Sequence, residues 1–138
     1  MQEQKPIVAI LAMIKRDDKF LVVKRNLKAK YQGGKWGFIG EGIQFKEDPI
    51  TCLKRGVKEE TNLDVTSWKF FNIYSVYLEE PAPKHVILIA YICKTKNADV
   101  EINDEAEDFA WLKLDEVEEL TMTIGNGQIV RDLKMRGK

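Results

Sequence analysis

Residues 36–63 read WGFIGEGIQFKEDPITCLKRGVKEETNL, in which a glycine-rich segment is followed by a run with helical periodicity. Asp48 is a residue type that caps helix N-termini, and Pro49 suits the first helical position. Asn62 tolerates the left-handed conformation that ends many helices. These signals predict a helix over residues 49–61, with an apolar stripe at i, i+3 and i+7 formed by Ile50, Leu53 and Val57.

The segments on either side of this helix favour strands. Residues 36–45 mix aromatic residues with glycines and predict a short strand with a bent loop. Val, Ile and aromatic residues dominate the other predicted strands, 7–15, 19–25, 65–79, 84–95 and 109–114. An acidic loop is expected at 101–108, a short helix or turn begins at LDEVEEL, and a C-terminal helix is expected at 123–135. This order predicts one α/β (α+β) domain over residues 1–138, with a mixed sheet and helices packed on it.

The bulk composition excludes several classes of protein. The 138 residues carry 22 basic and 22 acidic side chains, so no overall charge favours nucleic acid or a membrane surface. The apolar run 7–14 is too short to span a membrane and has no cleavage-site pattern after it, which favours a cytoplasmic protein. Cys52 and Cys93 lie in apolar segments and are expected to pack as free thiols. His85 is the single histidine and lies in a predicted strand, which disfavours a Ser/His/Asp triad.

The predicted helix places an acidic pair on its polar side. At about 100° per residue, Arg55, Gly56, Glu59 and Glu60 fall on one side, opposite the apolar stripe. Two adjacent carboxylates facing a glycine-rich loop can bind a hard cation such as Mg²⁺, which prefers oxygen ligands and substrate phosphates. An ordinary solvated helix face is the alternative.

The whole of 36–63 resembles the Nudix box, G-x5-E-x7-R-E-U-x-E-E-x-G-U, where U is a bulky aliphatic residue. KWGFIG resembles the strand and loop that precede the box, and the order of the flanking elements resembles the full domain. The chain is therefore similar to the Nudix hydrolase superfamily (MutT-like domains), and the resemblance implies an α/β/α sandwich. The matching positions are Glu47, Arg55, Val57, Glu59, Glu60 and Leu63.

Three positions depart from the box, which is thus degenerate. Glu41 and Asn62 stand where the box has Gly, and Gly56 stands where Glu follows the Arg. Asn62 tolerates the same backbone conformation as Gly. In most of the family the Glu at the position of Gly56 is a metal ligand or takes part in catalysis. Gly56 therefore indicates either close packing of a loop or substrate, or a loss of function. A GDP-mannose-hydrolysing class of the family also has an altered box and still uses a metal.

The resemblance implies roles for the remaining residues. Glu47 and Arg55 are expected to pair and to brace the loop against the helix. Mg²⁺ or Mn²⁺ would be held by carboxylates and by a backbone carbonyl near Gly40 and Glu41. The expected carboxylate ligands are Glu59, Glu60 and Glu105, and Glu59 and Glu105 are also the catalytic candidates. Glu107 is the second choice after Glu105, and a solvated acidic loop is the alternative to both.

Substrate-binding candidates flank this region. Arg25 ends the second predicted strand, where the family often grips a phosphate, although an edge cation in solvent is the alternative. Lys24 would point to the opposite face. Lys35 is a weaker candidate beside the glycines. Several aromatic residues could stack on a base, but strand aromatics are more often in the core: Trp36, Phe38, Trp68, Phe70 and Tyr74.

Two functions of different classes follow. The first is a metal-dependent Nudix-type hydrolase that cleaves a phosphoanhydride in a nucleoside diphosphate derivative or a nucleoside triphosphate. The second is a Nudix-fold module that binds a nucleotide-like ligand without cleaving it, which Glu41 and Gly56 would explain. The expected partner is a small nucleotide, not nucleic acid or a membrane, and the resemblance allows a homodimer.

Overall fold

The computed structural model describes residues 5–136, which form seven strands and three helices. None of the helices within this range is long and apolar enough to cross a membrane. The elements are β1 (Ile7–Arg16), β2 (Lys19–Arg25), β3 (Trp36–Gly37), β4 (Ile39–Gly42), α1 (Pro49–Thr61), β5 (Val65–Leu78), β6 (Lys84–Thr95), β7 (Ala106–Leu112), α2 (Leu114–Glu118) and α3 (Asn126–Arg136).

The sheet is mixed, as predicted, and strand β1 lies at its centre. This strand runs parallel to β6 over Ile7–Ile14 and antiparallel to β4 over Ala9–Ala12. Strand β5 pairs with the other edge of β6, whereas β2 pairs with the end of β1 and also with β3 and β7. Gly40 and Gly42 of β4 thereby lie beside the central strand, and α1 contacts both β1 and β4.

Helices cover both faces of this sheet. Side chains alternate along β1, so Ile10, Ala12 and Ile14 belong to the core layer that contains Leu53 and Val57 of α1. The layer on the opposite face contains Leu11 and Met13 of β1 together with Val117 of α2 and three residues of α3, Ile129, Val130 and Leu133. The predicted α/β/α sandwich is confirmed. Cys52 and Cys93 are buried free thiols, as expected.

Three predicted boundaries are wrong. The predicted strand 109–114 ends at Leu112, and Leu114 is the first residue of α2. The other two errors have non-local reasons. The acidic loop ends at Glu105 and not at 108, because β7 begins at Ala106, which pairs with Arg25 of β2. The C-terminal helix begins at Asn126 and not at 123. The chain before it pairs with β3, where the Thr123 N–H donates to the Trp36 carbonyl at 2.8 Å.

Candidate active site

Helix α1 carries the acidic residues of the site, and local chemistry fixes both of its ends. Asp48 has extended backbone geometry, and its Oδ1 accepts a hydrogen bond from the Thr51 N–H at 2.8 Å. Asn62 is in the left-handed region (φ 62°), and its N–H donates to the Lys58 carbonyl. An N-cap of this kind stabilises a helix by about 1 kcal/mol. The caps confirm the predicted range of α1 and fix which side chains face the sheet.

Arg55 clamps the loop before α1 to the helix. Its Nε lies 2.8 Å from Glu47 Oε2 and its Nη2 lies 2.9 Å from Glu47 Oε1, which is a bidentate pair. Nη2 also donates to the Gly42 carbonyl at 3.0 Å. The hydrogen bond from Arg55 lowers the pKa of Glu47 to about 2. The structure therefore contains the bracing pair that the sequence analysis expected.

Gly56 is buried, and the side chain of Glu41 fills the space beside it. A Cβ atom added to Gly56 would lie 2.6 Å from Glu41 Cβ and 2.9 Å from Glu41 Cγ. These are not the mobile end of the side chain, so a larger residue at 56 would displace Glu41 or the helix. Close packing, one of the two explanations raised for Gly56, is thus present.

Glu60 points its carboxyl group into the protein. Its Oε2 is buried and has no hydrogen-bond partner among the residues that the structure describes. The carboxyl groups of Glu105 and Glu41 lie near enough to act electrostatically on Glu60. Burial, and then these neighbours, raise the pKa of Glu60 to about 9. A buried unpartnered acceptor in a negative environment is a favourable place for a cation.

The other acidic candidates differ in their surroundings. Glu105 faces the site on a loop held by two hydrogen bonds, from its own N–H to Asn103 Oδ1 and from the Asn26 N–H to its carbonyl, each 3.0 Å long. Glu107 is turned away and pairs with Lys24 at 3.6 Å. Glu59 is more than half exposed, and its Oε2 lies 3.4 Å from Arg55 Nη1. The geometry therefore favours Glu105 over Glu107.

Two cations lie opposite the carboxylates. Arg25 donates from Nε to the Tyr31 carbonyl at 2.9 Å, and its charge acts on Glu60. Lys84 Nζ lies 4.5 Å from the centroid of the Tyr31 ring. Burial, followed by the charges of Arg25 and Lys30, lowers the pKa of Lys84. Crowded cations of this kind favour binding of an anion such as a phosphate.

Lys84 and Tyr31 are residues of this site that were not predicted from the sequence. Lys84 is the first residue of β6, directly after the EPAP turn, and the sequence gives no sign that this strand start lies beside Arg25. Lys35, the weaker sequence candidate, accepts a hydrogen bond from the Arg25 N–H through its carbonyl at 2.9 Å. Its side chain does not line either of the two cavities defined below, as far as residues 5–136 are concerned.

Two adjoining cavities meet at these charged residues. The inner cavity, of about 180 Å³, has largely apolar walls that include Leu11, Val23, Phe38, Val76, Val86 and Leu88, with Glu60 also in its lining. The outer cleft, of about 620 Å³, is polar and is lined by Glu41, Lys28 and Asp104 among others. Arg25, Lys84 and Glu105 line both spaces. An apolar pocket joined to a polar cleft suits a ligand with one flat apolar part and one charged part.

The aromatic candidates divide according to their position. Phe38 lines the inner cavity. Trp36 packs against the core, and Tyr74 donates its hydroxyl to Asp132 Oδ2 at 2.7 Å. Trp68 and Phe70 are substantially exposed on β5. Phe38 is thus the one of these five candidates at the inner cavity, but it is 5% exposed and belongs to the core. Tyr31, which is half-buried in the same cavity, offers more aromatic surface.

The carboxylates fit a hard divalent cation without forming a complete set of ligands. Within residues 5–136, no three His, Cys, Asp or Glu side chains stand in a metal-binding geometry. Glu41 and Glu59 are turned towards Arg55, each with an oxygen 3.4 Å from its Nη1. The unpartnered Oε2 of Glu60 and the all-oxygen donor set match the preferences of Mg²⁺ and Mn²⁺.

The fold and this acidic helix define a Nudix-type protein. The NUDIX domain model matches residues 4–133, and the chain belongs to this family. It is 28% identical to the nucleoside triphosphatase NudI of Salmonella agona (strain SL483), over 78% of this chain and 82% of that protein. It is 24% identical to the nucleoside triphosphatase NudI of Escherichia coli O81 (strain ED1a), over 88% of this chain and 92% of that protein.

Solved structures share the fold over nearly the whole chain. The MutT protein from Methanosarcina mazei Go1 superposes with a TM-score of 0.83 at 23% identity, covering 100% of this chain and 99% of that one. The NUDIX domain of Shewanella oneidensis NrtR, complexed with ADP ribose, superposes with a TM-score of 0.77 at 17% identity, covering 100% and 91%. At these identities the likeness establishes the fold.

Proposed function

We propose that this protein hydrolyses a phosphoanhydride bond of a nucleoside triphosphate or a nucleoside diphosphate derivative, and that it uses Mg²⁺ or Mn²⁺. The observation that carries the proposal is the buried, unpartnered Oε2 of Glu60. Glu60 lines the apolar inner cavity, and Glu105 lines both this cavity and the polar outer cleft. Relatives named as nucleoside triphosphatases and a neighbour that holds ADP ribose support the substrate class.

The two cavities suggest how the substrate would lie. The base would enter the inner cavity, where the half-buried Tyr31 offers aromatic surface and the buried Phe38 forms part of the wall. The phosphates would extend into the outer cleft, where Arg25 and Lys84 would neutralise their charge. In the free protein, burial and then the charges of Arg25 and Lys30 lower the pKa of Lys84. Binding of the polyanion would relieve the repulsion between these cations.

The reaction would use the carboxylates on the opposite wall. A bound divalent cation supplies Lewis-acid activation of a phosphoryl oxygen and of water. Glu59, Glu60 and Glu105 would hold this ion, with Gly40 at the end of the inner cavity as a source of a backbone carbonyl. Glu105 is the better-placed base, since it lines both cavities. It would take the proton of the attacking water as the new P–O bond forms and the bridging P–O bond breaks.

The experiment is a turnover assay with Mg²⁺ or Mn²⁺ on nucleoside triphosphates, ADP-ribose, dinucleoside polyphosphates and sugar nucleotides. We expect activity that falls on the order of a hundredfold or more in Glu105→Gln. Lys84→Gln should raise KM and leave metal affinity unchanged. Lys96→Gln and Glu119→Gln, which change exposed charges elsewhere, are the matched controls.

A wild type that hydrolyses none of these compounds would refute the proposal. Thermal stabilisation by a nucleotide without turnover would support the binding-module alternative instead. We also expect a cytoplasmic protein, consistent with nucleotide substrates, and the homodimer stays a prediction. Cell fractionation and sedimentation analysis test these two expectations.

A further inference from the structure

We infer that the side chain of Glu41, on strand β4, supplies the metal-binding carboxylate that the Nudix box otherwise places on the helix at the position of Gly56. The inference rests on the proposed metal-dependent function and names a ligand outside the box pattern. It treats the departures at positions 41 and 56 as one exchange, in which the carboxylate has moved from the helix to the facing strand.

The Glu41 side chain and a side chain at position 56 would compete for the same space. The box has Gly at position 41 and Glu at position 56, whereas this chain has Glu41 and Gly56. The Glu41 side chain occupies the space where a residue at 56 would begin, with its Cβ 2.6 Å and its Oε2 3.4 Å from an added Cβ. The space between β4 and α1 holds one side chain and not two. The box pattern and the pattern of this chain therefore each place one carboxylate there.

The Glu41 carboxyl group also lies among several other charged groups. The Glu41 carboxyl faces Glu60 and also interacts with Glu59, so it completes a group of acidic side chains drawn from two elements. Arg55 Nη1 lies 3.4 Å from Glu41 Oε1, but the Nε and Nη2 of the same guanidinium are bound to Glu47. Arg55 acts on Glu41 and Arg25 acts on Glu60, but Arg55 is already bound to Glu47, so negative charge stays in excess. A divalent ion at Glu41 and Glu60 would neutralise this excess.

The backbone carbonyl of Glu41 has a hydrogen-bond partner of its own. The Glu41 carbonyl accepts a weak hydrogen bond from the Cys52 thiol at 3.5 Å, on the side of the helix packing. Its side chain instead lines the outer cleft together with Glu105. The family resemblance implies that the backbone carbonyl at this position binds the metal. In this chain the side-chain carboxylate of Glu41 takes that role instead.

The test is Mn²⁺ binding without substrate, measured by electron paramagnetic resonance of free Mn²⁺ and by calorimetry. Turnover is measured in parallel. Glu41→Gln keeps the shape of the side chain and should weaken Mn²⁺ binding by about tenfold or more, since even the loss of an outer contact to a metal site weakens binding by about that factor. Gly56→Glu alone should also weaken binding, because its side chain collides with Glu41. The double variant Glu41→Gly/Gly56→Glu should bind within a few fold of the wild type.

The outcomes separate this inference from the proposed function. Unchanged Mn²⁺ affinity in Glu41→Gln, in a wild type that binds Mn²⁺ and hydrolyses nucleotides, would overturn the inference alone. Failure of the double variant to recover binding, with a melting temperature like that of the wild type, would overturn it as well. A wild type with neither Mn²⁺ binding nor turnover would refute both. Glu119→Gln controls for the loss of one surface carboxylate.

Discussion

Replacing Gly56 by alanine separates helix propensity from packing, because the two effects have opposite signs. In a helix interior, alanine is favoured over glycine by about 1 kcal/mol. The new methyl group, however, would lie 2.6 Å from Glu41 Cβ. Forcing extra volume into a packed site costs about 1–3 kcal/mol. We expect Gly56→Ala to lower the free energy of unfolding by up to about 2 kcal/mol in the wild-type background.

The same substitution should change sign when Glu41 is removed. In a Glu41→Gly background the methyl group meets no side chain at position 41, and the propensity gain of about 1 kcal/mol should appear in full. The two positions would then be coupled by about 1–3 kcal/mol, within the range for residues in contact. Gly127→Ala in α3 is the control, because its added Cβ would meet Arg131 Nη1 at an ordinary 3.7 Å.

Urea unfolding followed by circular dichroism measures the free energy of unfolding of five proteins: the wild type, Gly56→Ala, Glu41→Gly, Glu41→Gly/Gly56→Ala and Gly127→Ala. Melting temperatures should change in the same direction, by about 2–4 °C per kcal/mol for a chain near this size. The reasoning is refuted if Gly56→Ala stabilises the wild type as much as Gly127→Ala does. It is also refuted if the effect of Gly56→Ala is the same with and without the Glu41 side chain, since the contact between them would then have no energetic consequence.

Three further predictions concern burial and charge. Glu60→Met should stabilise the metal-free protein by about 1 kcal/mol, because it removes a buried unpartnered oxygen, and should abolish the rise in melting temperature with Mn²⁺. Cys52 and Cys93 should not react with Ellman's reagent at pH 8 until denaturant is added, because burial raises their pKa values to about 11 and 12. The pKa of Glu47 is lowered from 4.5 to about 2, so its stabilising pair with Arg55 is complete above pH 4.5 and is lost between pH 4.5 and 2. The difference in melting temperature between wild type and Glu47→Gln should shrink over that window.

The parts of the fold that follow from neighbouring residues could be predicted, and the parts that follow from distant pairing could not. Helix α1 was predicted to the residue, because Asp48, Pro49 and Asn62 carry its start and stop signals locally. The start of β7 was missed because it depends on the pairing of Ala106 with Arg25 of β2. Hydrophobic patterning also indicated the mixed sheet, but not its strand order.

The candidate site divides in the same way. The Glu47–Arg55 pair followed from motif spacing, since both residues lie in one continuous stretch. Lys84 was missed because its position beside Arg25 depends on where β6 lies in the sheet. No local sequence pattern gives that position. The sequence also left two explanations for Gly56, because the choice between them requires the knowledge that the Glu41 side chain fills the space next to it.

This contact changes how departures from a motif should be judged. Considered separately, Glu41 and Gly56 would count as two independent observations against a metal site. Because their atoms compete for one space, the two departures are one change. A chain with both side chains is disfavoured by packing, and a chain with neither lacks the carboxylate proposed to bind the metal. Relatives with Glu at the position of Glu41 should therefore carry Gly at the position of Gly56, and relatives with Gly at the first should carry Glu at the second. An alignment in which the two positions vary independently would show that the exchange is not a constraint of the fold.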